Sequence, residues 1–183
     1  MEQETTIQTA VVRKACLGDQ TSQAWLYRQY SKAMFNICTR MTGNLSDAED
    51  LLQESFMIAF RNLKQLKEPA QFGGWLKRIV VNECIRFCKK NTYWTSWDEQ
   101  WDETLSNEEP EWWQTVDIKM VHQEIKSLPD GCRQVFNLYV LEDYSHKDIA
   151  SHLGISESTS KSQYHRARQL LKERIIKQIQ VHG

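Results

Sequence analysis

The stretch SHKDIASHLGISESTSKSQYHRARQLLKERI, residues 145–175, decides the fold. Ser145, with Asp148 three residues on, makes a capping box, and a first helix runs from there to about Leu153. Gly154 supplies the tight turn of a helix-turn-helix, and Ser156 caps a second helix. Ile149, Ala150, Leu153 and Ile155 fall where the two helices must pack, with small Ala150 letting the backbones approach. The second helix carries Lys161, Arg166, Arg168, Lys172, Arg174 and Lys177 against Glu173, a net of +5. A solvated helix needs no such bias, whereas a recognition helix facing phosphates does. Ser158, Thr159, Lys161, Ser162, His165 and Arg166 are the side chains placed to reach a major groove. One good bidentate base contact there discriminates by about 1–3 kcal/mol. A single short basic helix therefore needs a second DNA contact or a large partner to hold a specific site.

Upstream, SLPDGCRQVFNLYVLEDY (residues 127–144) reads as one helix with Val135, Phe136, Leu138, Tyr139 and Leu141 as its apolar content. The N-terminal half is helical as well. Asp19 caps an apolar series at Leu26, Tyr30, Met34, Ile37, Cys38 and Met41, which Gly43 and Asn44 break. Ser46 with Glu49 reads as a second capping box. The helix after it has Leu51, Leu52, Phe56, Ile58, Ala59, Phe60 and Leu63, and offers Asp50, Gln53 and Glu54 on its other face. A loop, LKEPAQFGG, leads to WLKRIVVNECIRFCKK, where Leu76, Ile79, Val80 and Phe87 can face inward. Trp75, Arg78, Asn82 and Arg86 recur at i, i+3, i+7 and i+11 and so lie roughly along one stripe. An aromatic ring, an amide and two guanidiniums on one face suit single-stranded nucleic acid. Taken by themselves, the same residues also fit a core Trp beside a solvated basic face.

Composition agrees with an all-α protein. Only 3 Pro and 7 Gly in 183 residues argue against a sandwich or barrel. No run approaches the ~20 apolar residues of a membrane span, and the polar, acidic N-terminus is not a secretory signal. Five scattered Cys fit reduced thiols of a cytoplasmic protein; Cys84 and Cys88, four apart, read as buried thiols rather than metal ligands. The formal charge of −1 conceals three blocks. Residues 1–90 carry +4, residues 91–118 carry −8 with no basic side chain, and residues 119–183 carry +3. The expected architecture is two small helical domains, 1–90 and 119–183, joined by a flexible acidic linker, 91–118. Five of the seven Trp fall in that linker, and rings of that size should dock on the chain or on a partner. No paired catalytic carboxylates, metal-ligand cluster, phosphate-binding Gly loop or activated nucleophile appears, and the five His are dispersed. The reading is a non-enzymatic protein without cofactor or metal.

With both halves in view, the chain resembles the extracytoplasmic-function (ECF) sigma factors, the minimal two-domain form of bacterial sigma within the sigma-70 family. D-A-E-D-L-L-Q-E-S-F at 47–56 matches the acidic helix by which the family's region 2 binds the β′ clamp helices of RNA polymerase. The resemblance implies that Asp50, Gln53 and Glu54 touch the polymerase core. The family pattern F-x-x-W-L-x-R-I-x-x-N is met by Phe72, Trp75, Leu76, Arg78, Ile79 and Asn82. It implies that Phe72, Trp75, Arg78, Asn82 and Arg86 bind and melt the −10 element, and so selects the nucleic-acid reading of the stripe. D-I-A-S-H-L-G-I-S-E-S-T-S-K-S-Q-Y-H-R-A-R at 148–168 resembles region 4, which implies that Ser158, Thr159, Lys161, Ser162, His165 and Arg166 read the −35 element. Two departures stand out. Ser160 replaces a buried Val, which is expected to loosen the recognition helix, and Gln163 replaces a frequent Arg, which bears on −35 preference. The implied partners are bacterial core polymerase, through the β′ clamp helices and β flap, promoter DNA, and a membrane-bound anti-sigma factor. The chain itself would not insert into a membrane. The alternative is a stand-alone helix-turn-helix regulator that binds a palindrome as a dimer; the 47–56 motif speaks against it.

Overall fold

In the computed structural model, residues 2–92, 94 and 118–182 are described, and these form helices and turns without a strand. They divide into two units, Met1–Phe87 and Cys88–Gly183. Among the described residues, no helix is long and apolar enough to cross a membrane. Most of the acidic linker, with Trp97, Trp101, Trp112 and Trp113, lies outside the described residues.

The first unit holds α1 (Glu2–Cys16), α2 (Gln20–Thr42), α3 (Leu45–Arg61), two 3-10 turns (Leu63–Gln65 and Pro69–Gln71) and α4 (Phe72–Asn91), whose last residues belong to the second unit. Asp19 caps α2 by accepting from the Ser22 amide at 2.8 Å, and hydrogen bonding to Ser22 holds its carboxyl below the usual range. Gly43, at φ 70°, ends α2 in the left-handed region and returns its N–H to the Thr39 carbonyl. The cap of α3 is Asn44, whose side chain accepts from the Asp47 amide at 3.1 Å. The expected box at Ser46 is thereby corrected: the helix starts before it, and Ser46 lies in the first turn. Leu26, Met34, Ile37, Cys38 and Met41 are buried on α2, as are Leu51, Leu52, Phe56 and Ala59 on α3 and Leu76, Val80 and Cys84 on α4. Each large side chain among them contributes about 1.5–3 kcal/mol on burial.

The entry to α4 is tightly built. Tyr30 accepts from Gln8 Nε2 through its hydroxyl at 2.6 Å and meets Phe72 edge-on, with centroids 5.2 Å apart. A Cβ on Gly73 would lie 2.9 Å from Tyr30 Cε1, whereas one on Gly74 would meet nothing within 4 Å.

The second unit comprises α5 (Ile118–Lys126), α6 (Asp130–Phe136), a π-helical turn (Asn137–Leu141), α7 (His146–Leu153) and α8 (Glu157–His182). Its core is Ile125, Leu128, Cys132, Ala167, Leu171 and Ile175, flanked by Met120, Val121, Phe136 and Leu170. Ser145 caps α7 by accepting from the Asp148 amide at 3.1 Å, while its hydroxyl donates to the Asp148 carboxylate at 2.5 Å. Gly154 turns the chain at φ 73°, and Ser156 caps α8 through the Thr159 amide at 3.0 Å. Because α8 opens on Glu157, its six basic residues face two acids, Glu157 and Glu173, and the +5 expected for it becomes +4.

The segment expected as one helix over 127–144 is broken. It begins at Asp130 and loosens into the π turn, which leaves Tyr139 and Leu141 of the expected apolar content exposed, with Val140 exposed between them. Buried Arg133 is held by the Asp130 carboxylate at 2.6 Å and the Leu128 carbonyl at 2.9 Å. Thr92 pairs with Gln134, and the Trp94 ring lies against Gly131, where an added Cβ would meet it at 3.1 Å. One of the five linker Trp is therefore docked on the chain. All five cysteines are free thiols, and burial pushes Cys88 up to about 12, which leaves it inert as a nucleophile or ligand.

Ser160 and Gln163 are both buried. The Ser160 hydroxyl sits 2.9 Å from His146 Nδ1, and the His146 ring stacks on Tyr139 at 4.3 Å and 11°. Gln163 Oε1 accepts from the Cys132 thiol at 3.1 Å. The loosening expected from Ser160 is thus offset by a polar partner.

Two outcomes follow from these contacts. Gly73→Ala should destabilise the protein by about 1–3 kcal/mol, since Tyr30 is pinned on two sides. Gly74→Ala should be neutral or stabilise by about 0.5–1 kcal/mol; thermal unfolding measures both. Burial, then Lys161, lowers the pKa of His146 from 6.5, outweighing the opposite effect of Glu157. The unfolded chain then takes up this proton first, so the stabilising contribution is complete above pH 6.5 and is lost as pH falls through the folded pKa. The His146 ring resonance should titrate with a midpoint below 6.5, and His146→Gln should flatten that part of the stability profile.

Candidate nucleic-acid and partner interfaces

Three surfaces emerge, two on the first unit and one on the second. On α3, Asp50, Gln53 and Glu54 are exposed, while Leu51, Leu52, Ser55 and Phe56 on the opposite side are buried. Helical spacing i, i+3, i+4 makes them neighbours. Exposed Met57 extends the same face by nearly one turn. The result is an acidic strip ending on an apolar side chain, which suits a basic, amphipathic partner.

On α4, Arg78, Asn82 and Arg86 are exposed and Trp75 is half-buried, with Leu76 and Val80 fully buried behind them. The Trp thus packs in part, and Arg78, Asn82 and Arg86 face outward. Phe72 is corrected. It is 0% exposed, clamped by Tyr30 and 6.1 Å from the Trp75 ring. A side chain with no accessible surface cannot stack on a base, so Phe72 supports Trp75 from beneath.

On α8, Ser158 and Lys161 are exposed, while Thr159, Ser162, His165 and Arg166 are half-buried. Several of their polar atoms are already engaged. The Ser158 and Thr159 hydroxyls lie 2.8 and 2.7 Å from Ser156 Oγ, and Ser162 donates to the Thr159 carbonyl at 3.0 Å. Lys161 pairs with Glu157 at 2.8 Å. Gln163 points inward to Cys132, so the departure there alters the core of the domain rather than its outer surface. Exposed Arg168, one of the basic residues of the helix, lies over the Tyr164 ring at 5.9 Å.

A further residue escaped the sequence reading. Glu83 is buried and pairs with Arg86 at 3.0 Å, so it stands directly behind the α4 stripe. Its signal was an acid on the inward rhythm of Leu76, Val80 and Phe87. Among the described residues, no group of three or more His, Cys, Asp or Glu could hold a metal ion.

Two family models match the chain: sigma-70 region 2 over residues 26–93 and sigma-70 region 4 over residues 118–171. The ECF RNA polymerase sigma factor SigE of Mycolicibacterium smegmatis is 30% identical over 169 residues, covering 87% of this chain and 65% of that protein. SigW of Bacillus subtilis is 29% identical over 177 residues, covering 90% and 94% of the two chains. SigM of the same organism is 31% identical over 149 residues, covering 80% and 91%. With both regions present in order and a relative of this similarity matched over nearly its whole length, the chain belongs to the ECF sigma factors of the sigma-70 family.

Proposed function

We propose that the chain is a promoter-specificity subunit: it binds bacterial core RNA polymerase, recognises −35 and −10 elements, and melts DNA at the −10 element. The observation that carries this reading is the pairing, on one small helical unit, of an exposed acidic strip on α3 with an exposed basic and aromatic stripe on α4. An acidic strip repels DNA and so belongs to a protein partner, while the stripe suits an unpaired strand. A stand-alone regulator has no use for the first of these surfaces. In this reading residues 1–90 serve core binding and −10 melting, and residues 119–183 serve −35 recognition. Asp50, Gln53 and Glu54 meet the β′ clamp helices. Trp75 stacks on bases, Asn82 reads an edge, and Arg78 and Arg86 take phosphates.

On the second unit, Ser158, Thr159, Lys161, Ser162, His165 and Arg166 enter the −35 major groove, and the β flap supports the unit from its other side. The work is binding and strand separation in the cytoplasm, with no bond chemistry by the chain itself. A membrane-bound anti-sigma factor is the partner that holds such a subunit inactive.

Run-off transcription tests the whole: the chain with bacterial core polymerase should initiate from promoters selected from a random library, and silence on such a library refutes it. Asp50→Ala with Glu54→Ala should weaken core binding at least about tenfold, because the basic partner residues lose their counter-charges in a desolvated contact; thermal unfolding should be unchanged. Arg166→Ala should weaken binding to a −35 duplex by about tenfold, with binding to a preopened bubble lacking that element nearly unaffected.

A further inference from the structure

We infer that Glu83 is a positioning residue for the −10 strand, fixing the Arg86 guanidinium on the outward stripe of α4. The inference rests on the reading of that stripe as a strand-binding surface and adds the device that aims it.

Glu83 occupies a place where an apolar side chain is the default. It continues the inward rhythm of Leu76 and Val80, with Cys84 and Ile85 buried beside it. Its side chain is only 7% exposed, whereas that of Arg86 is 72% exposed. One guanidinium nitrogen, Nη1, meets Glu83 Oε2 at 3.0 Å, so the carboxylate holds one edge of the group and leaves the rest turned to solvent. A free Arg side chain carries about 2 kcal/mol of rotamer entropy that must be given up on binding. Anchoring one edge removes part of that cost before DNA arrives and leaves the planar fork to meet a phosphate.

Burial raises the pKa of Glu83, Glu54 raises it further, and Arg86 alone among its charged neighbours opposes the rise. Burial therefore works against the charge, and the opposite charge of Arg86 works for it. Its ion pair with Arg86 favours the charge, and Arg86 faces outward. Glu54, on the α3 strip, acts on the carboxylate in the opposite sense to Arg86.

The test uses holoenzyme made from the full chain and core polymerase, with a selected promoter carrying a preopened −10 bubble as the probe. Arg86→Ala should weaken bubble binding by about tenfold, the scale of one lost charge-assisted contact. Glu83→Leu should reach within about twofold of that loss, and Glu83→Leu added to Arg86→Ala should cost nothing more. Glu83→Gln, which keeps an acceptor for the guanidinium, should restore most of the affinity. A purely structural residue would give additive losses and no rescue by Gln. Wild-type affinity in Glu83→Leu, alongside a loss in Arg86→Ala, overturns the positioning role and leaves the strand contact standing. Tighter binding in Glu83→Leu also overturns it, by making Glu83 a competitor of the phosphate. Wild-type affinity in Arg86→Ala removes the strand contact and the positioning role together.

Discussion

The contact among Tyr30, Phe72 and Gly73 governs what the first unit can present. Tyr30 is pinned by Gln8 at one end and by the edge of Phe72 at the other, and Gly73 lets α4 begin against it without a Cβ in the way. With its first turn fixed, the rotation of α4 about its own axis is settled. Leu76 and Val80 then fall inward, Arg78, Asn82 and Arg86 fall outward, and Trp75 is half-buried. A rotation of ~100° per residue gives no intermediate choice. The fully buried Phe72 is thus the foundation of the stripe, and it contributes by being inaccessible.

The second unit meets the same demand with polar groups. Its recognition helix turns Ser160 and Gln163 inward, and each finds a partner, His146 and Cys132 respectively. A buried polar group without a partner costs about 1–3 kcal/mol, whereas a matched pair is close to neutral. The two substitutions are therefore coherent only together with the residues that receive them. The aromatic shelf of Tyr139, His146 and Tyr164 continues this arrangement along the side of the helix-turn-helix.

Helix faces were legible in the sequence because burial follows the helical period. Leu26, Met34, Ile37 and Met41 were assigned inward and are buried; Asp50, Gln53 and Glu54 were assigned outward and are exposed. The turn glycine at 154 and the caps at Ser145 and Ser156 were legible for a similar reason, since each acts within three or four residues. What escaped depends on comparison between near-equivalent local choices or on distant partners. Asn44 and Ser46 are both good caps, and only the helix start distinguishes them. The π turn at 137–141 turns Tyr139 and Leu141 outward, which an ideal α period cannot anticipate. Phe72 sits in a motif whose Arg78 and Asn82 face outward, and only the position of Tyr30, over forty residues earlier, shows that it does not. Glu83 continues the inward rhythm of α4, and only its pairing with Arg86 gives the buried acid a role.

The engagement of the recognition helix with itself bears on how the protein must work. Lys161 is tied to Glu157, and the hydroxyls of Ser158, Thr159 and Ser162 close the first turns of α8. A base contact by any of these groups exchanges an existing hydrogen bond for a new one, so its net gain is smaller than that of a free donor. The net charge of the helix is also one less than its basic residues and Glu173 alone suggest, because Glu157 opens it. Both effects lower intrinsic −35 affinity. An overall charge of −1 adds little long-range attraction to DNA. A reader of this kind becomes selective when a much larger partner supplies the affinity: the partner brings it to DNA, and the modest differences among base contacts then decide where it stops.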